Sequence, residues 1–479
     1  MLTRLYRRIR NAFSSEGGFR SVWRDIVESI HGTDKDFTEV KMSKAILLLS
    51  IPMVLEMVME SVFAVVDIFF VSKLGADAVA TVGITESVNT IVYAIGIGLG
   101  LATTSLVSRR IGEKRPEEAS KTAFQAILAA SVVSLLIGIP GAIYASDILR
   151  LMGASENIVQ NLSGYTAIML GGNIVIMLLF IINAVFRSSG DAAVAMRVLW
   201  LGNIINIILD PCLIFGWGPF PELGITGAAI ATTIGRGIAV LYQIYILVKG
   251  HKRIQLGVRH LVIDLKTMGK LLSLSFGGIG QNLIATTSWI GLVRIISVFG
   301  SEVVAGYTIA IRIVLFVLLP SWGVSNAAST LVGQNLGAKK PERAEKAVWF
   351  TGKVNAILLG LVSIILIAFP DFFIKLFIDD PEVIRHGASG LRIISYGFAA
   401  YGFGMVLINS FNGAGDTTTP VKINFFVFWM VEIPLAYFLA IILKYEQTGV
   451  FAAIVFSETL MTLVAWMLFR RGKWKLNEV

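Results

Sequence analysis

A single cysteine in 479 residues, Cys212, excludes an intrachain disulfide and a cysteine metal cluster. It lies in an apolar run and reads as a small buried filler. Histidine is almost as scarce: His31, His251, His260 and His386 are scattered, outside the apolar runs and away from metal-ligand spacing. That argues against a haem or zinc site. Charged residues are thin, at 15% of the chain. No Gly-Lys-Ser/Thr sequence occurs, so ATP hydrolysis has no support. With no histidine inside an apolar run and no His/Cys cluster, a membrane-embedded enzyme is the weakest reading, and no cofactor is expected. A cleavable signal peptide is also missing from the expectation, because residues 1–42 open basic and polar, with Arg4, Arg7, Arg8 and Arg10.

What the chain has is hydrophobicity: 55% of residues are apolar and the mean hydropathy is +0.75. A soluble domain cannot hide that much apolar surface, so this is a polytopic membrane protein. Twelve runs are long enough to cross about 30 Å of hydrocarbon as helices. They lie near 43–72, 78–108, 121–145, 160–186, 194–217, 224–248, 270–299, 302–332, 347–369, 388–412, 421–443 and 448–469. The net charge of +9 would suit nucleic acid in a soluble chain. Here Lys and Arg collect in one set of loops, among them Arg109, Arg110, Lys114 and Arg115, then Lys249 to Lys266, then Lys339, Lys340 and Arg343. The 5–6 and 7–8 loops hold neither, so the positive-inside rule places both termini in the cytoplasm and no nucleic-acid partner is expected. Leu5, Ile9 and Phe13, then Val22, Trp23, Ile26 and Ile30, recur at helical spacing. They fit an interfacial helix on an anionic leaflet or a disordered tail.

The chain repeats at an offset of 225 residues. Leu106-Val107 and Gly112-x-Lys114-x-Pro116-Glu117-x-Ala119-x-Lys121 return as Leu331-Val332 and Gly337-x-Lys339-x-Pro341-Glu342-x-Ala344-x-Lys346. Gly190-Asp191 returns as Gly415-Asp416. Six helices per copy keep both copies in one orientation. The expected fold is therefore all-α: twelve transmembrane helices in two six-helix lobes related by a pseudo-twofold along the membrane normal. The expected division is a cytoplasmic segment 1–42, a first lobe 43–248, a cytoplasmic linker 249–269, a second lobe 270–470 and a tail 471–479. The Pro-Glu turns read as helix starts.

Ionisable groups inside apolar spans are costly and mark candidate function. Glu56, Glu60 and Asp67 share one face of the first span. Glu56 and Glu60 read equally as packed hydrogen-bonding groups or as cleft residues. On span five, Asn203, Asn206 and Asp210 share a face, and Pro211 leaves carbonyls of the preceding turn partly free. Asp67 and Asp210 lie at matching depth. With an amide beside them they suit a hard cation such as Na⁺, or equally a proton. Thr232 on span six lies at similar depth and either completes the site or bonds to its own helix. Arg236, one turn deeper, could neutralise a carboxylate. The offset puts Leu292 and Leu435 opposite Asp67 and Asp210, so coupling chemistry is expected in the first lobe. The second lobe's intramembrane charges are Arg294, Arg312, Glu432 and Glu458, with an ion pair of the Glu432–Arg312 kind as the structural expectation.

The chain resembles the multidrug and toxic compound extrusion (MATE) family over about residues 43–470. The resemblance rests on Val65-Val66-Asp67-Ile68-Phe69, on the two Gly-Asp pairs, on Asn206-Ile207-Ile208-Leu209-Asp210-Pro211 and on Gly224-Ile225-x-Gly227-Ala228-Ala229-Ile230-Ala231-Thr232. Asn-x-x-x-Asp-Pro resembles the DinF-like branch, which implies a cation site formed by Asp67, Asn206, Asp210 and Thr232, with Na⁺ or H⁺ as coupling ion. NorM-like members carry a carboxylate in span seven, where this chain has Gln281 and Asn282. The resemblance implies antiport of amphipathic, often cationic, small molecules by a monomer embedded in the lipid of a bacterial-type cytoplasmic (inner) membrane. The rival within the same superfamily is a lipid-linked oligosaccharide flippase. Its pyrophosphate would call for more cleft cations than Arg236, Arg294 and Arg312.

Overall fold

A computed structural model describes residues 16–250 and 253–477, with side chains from Trp23 onward. The early arginines and the Leu5, Ile9, Phe13 pattern lie outside the described residues. The amphipathic helix α1 spans Glu16–His31. There follow α2 (Met42–Ser72), α3 (Ala76–Gly112), α4 (Pro116–Ile143), α5 (Ser163–Ser189, interrupted at Gly172), α6 (Ala192–Phe215) and α7 (Gly224–Lys249). The second half runs through α8 (Leu265–Ile296), α9 (Ser301–Gly337), α10 (Pro341–Ala368), α11 (Pro381–Ser395 with Phe398–Gly413), α12 (Thr418–Ile442) and α13 (Glu446–Arg470). Helices that bond their own backbone groups are what lipid permits. By length and composition, ten of them can cross a bilayer, or eleven with α11 as one span bent by 57°. The remaining expected crossing, α2, has 31 residues and carries Lys44, Glu56, Glu60 and Asp67.

The sequence repeat is a repeat of geometry. α3 and α9 are displaced by 225 residues at both ends, as are α4 and α10. Each of α4 and α10 opens with a proline in its first turn and a glutamate beside it, favourable for the helix dipole. The residue two before each proline takes the left-handed region, Lys114 at φ 60° and Lys339 at φ 57°. The symmetry breaks in α12. Its counterpart α6 is α-helical throughout, whereas α12 widens into π turns at Phe425–Glu432 and Phe438–Ile442 around Pro434. Both helices contain an interior proline, Pro211 in α6 and Pro434 in α12, so proline alone does not explain the difference.

α3 and α9 each have 37 residues, roughly 55 Å of helix, more than the hydrocarbon needs. Their C-terminal ends project into the Lys/Arg-rich side and cross there. A Cβ on Gly112 would lie 2.0 Å from the Gln334 carbonyl oxygen, and one on Gly337 would lie 2.2 Å from that of Arg109. Backbone touches backbone reciprocally, at positions related by the repeat. Gln334 also donates to the Ser188 carbonyl at 2.8 Å. Higher up, α3 meets α8 at Gly98 and Gly278, and α2 meets α9 at Met53 and Gly323. The two bundles are thus closed on each other at the basic end.

The segment between α1 and α2 straps that end. Arg253 donates to the Lys35 carbonyl at 2.7 Å, Lys340 to Thr38 at 3.1 Å, and Arg343 to Phe37 and Val40. One strap thereby touches the connection after α7 and the loop before α10. Phe37 is buried against Gly190, whose left-handed φ of 95° and missing Cβ leave room for the ring.

Candidate functional site

Three expected residues come together between α6 and α7. Asn206 Nδ2 donates to Thr232 Oγ1 at 3.0 Å and, more weakly, to Asp210 Oδ1 at 3.4 Å. Asp210 is fully buried, and Asn206 and Thr232 nearly so. Thr232 therefore faces across to α6. Neither Asp210 Oδ2 nor Asn206 Oδ1 has a hydrogen-bond partner among the described residues. Two acceptor oxygens buried without a donor are costly, and a cation or proton between them would remove the cost. The donor set is all oxygen, which suits a hard cation.

Asp67, on α2, is half-buried and makes no hydrogen bond to this cluster. Its helix packs against α6, which carries Asp210.

Glu56 and Glu60 have structural partners. Buried Glu56 accepts from Arg187 at 2.9 Å and from Asn183 at 3.1 Å, and Gln243 in turn donates to Asn183 at 2.6 Å. Glu60 accepts from Asn203 at 3.1 Å and from Arg236 at 3.4 Å. Arg236 does neutralise a carboxylate, and its guanidinium also stands 5.4 Å from the Phe63 ring. The α2 stripe thus splits: Glu56 and Glu60 are tied to arginines, and Asp67 makes no ion pair or hydrogen bond among the described residues.

Sequence reading missed Glu86, Tyr93 and Asn89 on α3, and Arg187. Glu86 and Tyr93 belong to the charged surroundings of Arg236. Asn89 is fully buried, one turn from Glu86 on the same helix. The signal was available, since Glu86 is an acid inside an apolar span, the criterion that selected Asp67. Interior acids Glu56, Glu60, Asp67, Glu86 and Asp210 outnumber Arg187 and Arg236, so this lobe has more carboxyl groups than arginines to pair with them.

In the second lobe the expected Glu432–Arg312 pair is absent. Glu432 is buried and accepts from Ser288 Oγ at 2.8 Å, while Arg312 and Arg294 are exposed. Arginine stems are long and flexible enough to carry a charged head away from the span's buried side. Gln281 is buried in reciprocal hydrogen bonds with Asn412 at 3.0 and 3.1 Å, and Asn282 donates to its own helix at Gly278. Neither is placed as an ion ligand. Among the described residues, no group of three His, Cys, Asp or Glu is arranged to hold a metal.

Comparison with known proteins agrees with this architecture. A family model described as MatE matches residues 52–212 and 279–438, one block in each half. The probable multidrug resistance protein YoeA of Bacillus subtilis (strain 168) is 26% identical over 91% of this chain and 95% of its own length. An FAD transporter of Shewanella oneidensis is 26% identical over 82% of this chain and 87% of its own. A solved structure of the outward-facing conformation of a multidrug resistance MATE family transporter of the MOP superfamily superposes with a TM-score of 0.86. It is 26% identical and covers 92% of this chain and 98% of that one.

Proposed function

The chain belongs to the MatE family, and from that premise we propose that it is a secondary multidrug efflux antiporter whose coupling cation binds at Asp210. The observation that carries the ion assignment is the pair of unpartnered buried oxygens, Asp210 Oδ2 and Asn206 Oδ1, beside Thr232. Na⁺ and H⁺ both fit this acceptor set. Asn206 and Thr232 would add ligands for Na⁺, and Asp210 alone would hold a proton. The Asn-x-x-x-Asp-Pro pattern supports the DinF-like branch as the finer placement.

The cycle follows from charge. Asp210 ionised and bare is unfavourable in a closed, dry bundle, so closure over the empty site costs energy that a bound cation removes. An amphipathic cation in the cleft competes for the same negative field, so ion entry favours its release. Alternating access then requires the basic-end crossing of α3 and α9 to part when the opposite side shuts. On the positive-inside reading that end is cytoplasmic, with both termini inside a bacterial-type inner membrane. The division at 249–269 and a monomeric state complete the reading. A large anionic substrate, as the FAD transporter name says of that relative, is the second substrate class; the acidic surplus of the first lobe favours cations. The test is drug efflux from everted vesicles with a Na⁺ or a proton gradient imposed alone. Efflux driven by one gradient supports the proposal, and efflux driven by neither overturns it.

A further inference from the structure

We propose that the first lobe also carries a binding site for the phosphate headgroup of an anionic phospholipid, where the start of α6 meets the end of α7. A cavity of about 280 Å³ opens there, lined by Val194, Arg197, Tyr242, Tyr245, Ile246 and Lys249. Arg197 and Lys249 have no ion pair among the described residues. No carboxylate lines the cavity. The nearby cations are already engaged: Arg253 donates to the Ser189 and Lys35 carbonyls, and Arg259 and His260 pair with Glu117. Two free cations around one cavity are therefore the feature to explain.

The cavity's walls suit lipid rather than a free anion. The Tyr242 and Tyr245 rings stack at 6.5 Å, and Lys249 Nζ lies 5.8 Å from the Tyr245 ring. Tyr245 and Val248 are each 57% exposed, on helix that crosses hydrocarbon. An arginine fork can hold two phosphate oxygens, and the lysine supplies a point charge. The tyrosines would then border the glycerol backbone, at the level where aromatic belts sit. The repeat keeps only part of this arrangement in the second lobe: Lys422 corresponds to Arg197, but Met467, Arg470 and Trp474 correspond to Tyr242, Tyr245 and Lys249. Choosing a lipid of the inner leaflet rests on the cytoplasmic orientation proposed above, because that leaflet is the anionic one.

The experiment is native mass spectrometry of the full-length protein in detergent with dioleoyl phosphatidylglycerol, dioleoyl phosphatidylcholine or inorganic phosphate added. We expect a retained phosphatidylglycerol adduct, no comparable phosphatidylcholine adduct, and no displacement by millimolar phosphate. Each cation near an anionic surface is worth about fivefold in affinity, so Arg197→Gln with Lys249→Gln should weaken retention roughly 25-fold. The charge-conserving pair Arg197→Lys with Lys249→Arg should keep most of it, which separates lost charge from lost fold. Equal retention by the glutamine pair, equal retention of phosphatidylcholine, or displacement by phosphate would each overturn the proposal. The readout needs neither gradient nor drug, so failure of the antiport reading would leave it unmoved.

Discussion

At the scale of the residue, Asp210 is the group whose surroundings demand a partner. One oxygen has a long hydrogen bond from Asn206 and the other has none. Asp210→Asn removes the charge while nearly conserving volume, so it should abolish coupled export in vesicles and leave expression and folding intact. Asp67→Asn should do the same. The double variant should be no worse than either single one, because both carboxylates act on one ion. Glu56 makes the opposite case. It is buried, its Oε1 is bonded to Arg187 and Asn183 while Oε2 has no hydrogen-bond partner among the described residues, and a structural role is proposed for it. Glu56→Gln leaves the Arg187 guanidinium without its counter-charge and should destabilise the protein by about 3 kcal/mol. Thermal unfolding in detergent reads this directly, and adding Arg187→Gln should recover part of the loss. An unchanged midpoint for Glu56→Gln would contradict the structural role.

At the scale of the element, the crossing of α3 and α9 depends on two glycines. Any side chain at Gly112 or Gly337 meets a carbonyl oxygen near 2 Å, far inside contact distance. Gly112→Val should therefore weaken the closed basic end and raise modification of a cysteine placed at Ser188 by a cytoplasmic thiol reagent, on a Cys212→Ala background. No change in labelling would show that the crossing is not the closure. The helix α1 is held by different forces. Burial pushes the Glu28 carboxyl up, but hydrogen bonds from Lys35, Lys44 and Thr33 outweigh it and hold it at about 2, below the usual 4.5. A lowered folded-state value means that this contact contributes fully above about pH 4.5 and is lost as pH falls toward 2. Hydrogen exchange in α1 should therefore stay constant from pH 7 to about pH 5 after correction for intrinsic rates. It should rise only below that, and a rise between pH 7 and 5 would count against the Glu28 contacts.

Legibility from sequence followed the same scales. The spans, their number and the repeat were readable because lipid allows few solutions and the 225-residue offset survives in glycines, prolines and dihedral angles alike. Asn206, Asp210 and Thr232 were readable because polar residues in an apolar helix are rare. Pairing was not readable. Glu56 with Arg187, and Glu60 with Arg236, depend on how α2 is rotated against α5 and α7, and helical periodicity within one segment carries no such information. Arg312 misled for a related reason, since its place inside a span says nothing about where its flexible stem takes the charge.

At the scale of the whole molecule, two predictions concern the assembled protein. Orientation comes first. Residues 217–223 and 299–302 should be outside, because those loops lack Lys and Arg. Single cysteines there, on the Cys212→Ala background, should react with an impermeant thiol reagent in intact cells, and cysteines at 339–343 should not. The reverse pattern would invert the molecule. The central claim is that two lobes alike in fold are unequal in chemistry, with the coupling ion in the first. The second lobe has acids of its own: buried Glu432 holds a hydrogen bond from Ser288, and Glu458 has a buried carboxylate oxygen with no partner among the described residues. The most direct test is the half-saturating Na⁺ concentration and the pH midpoint of efflux in proteoliposomes, for Asp210→Asn, Asn206→Ala and Glu432→Gln. The account predicts that Asp210→Asn loses coupling, that Asn206→Ala raises the Na⁺ requirement, and that Glu432→Gln leaves both midpoints where they were. Midpoints that move in Glu432→Gln and stand still in the two first-lobe variants would contradict it.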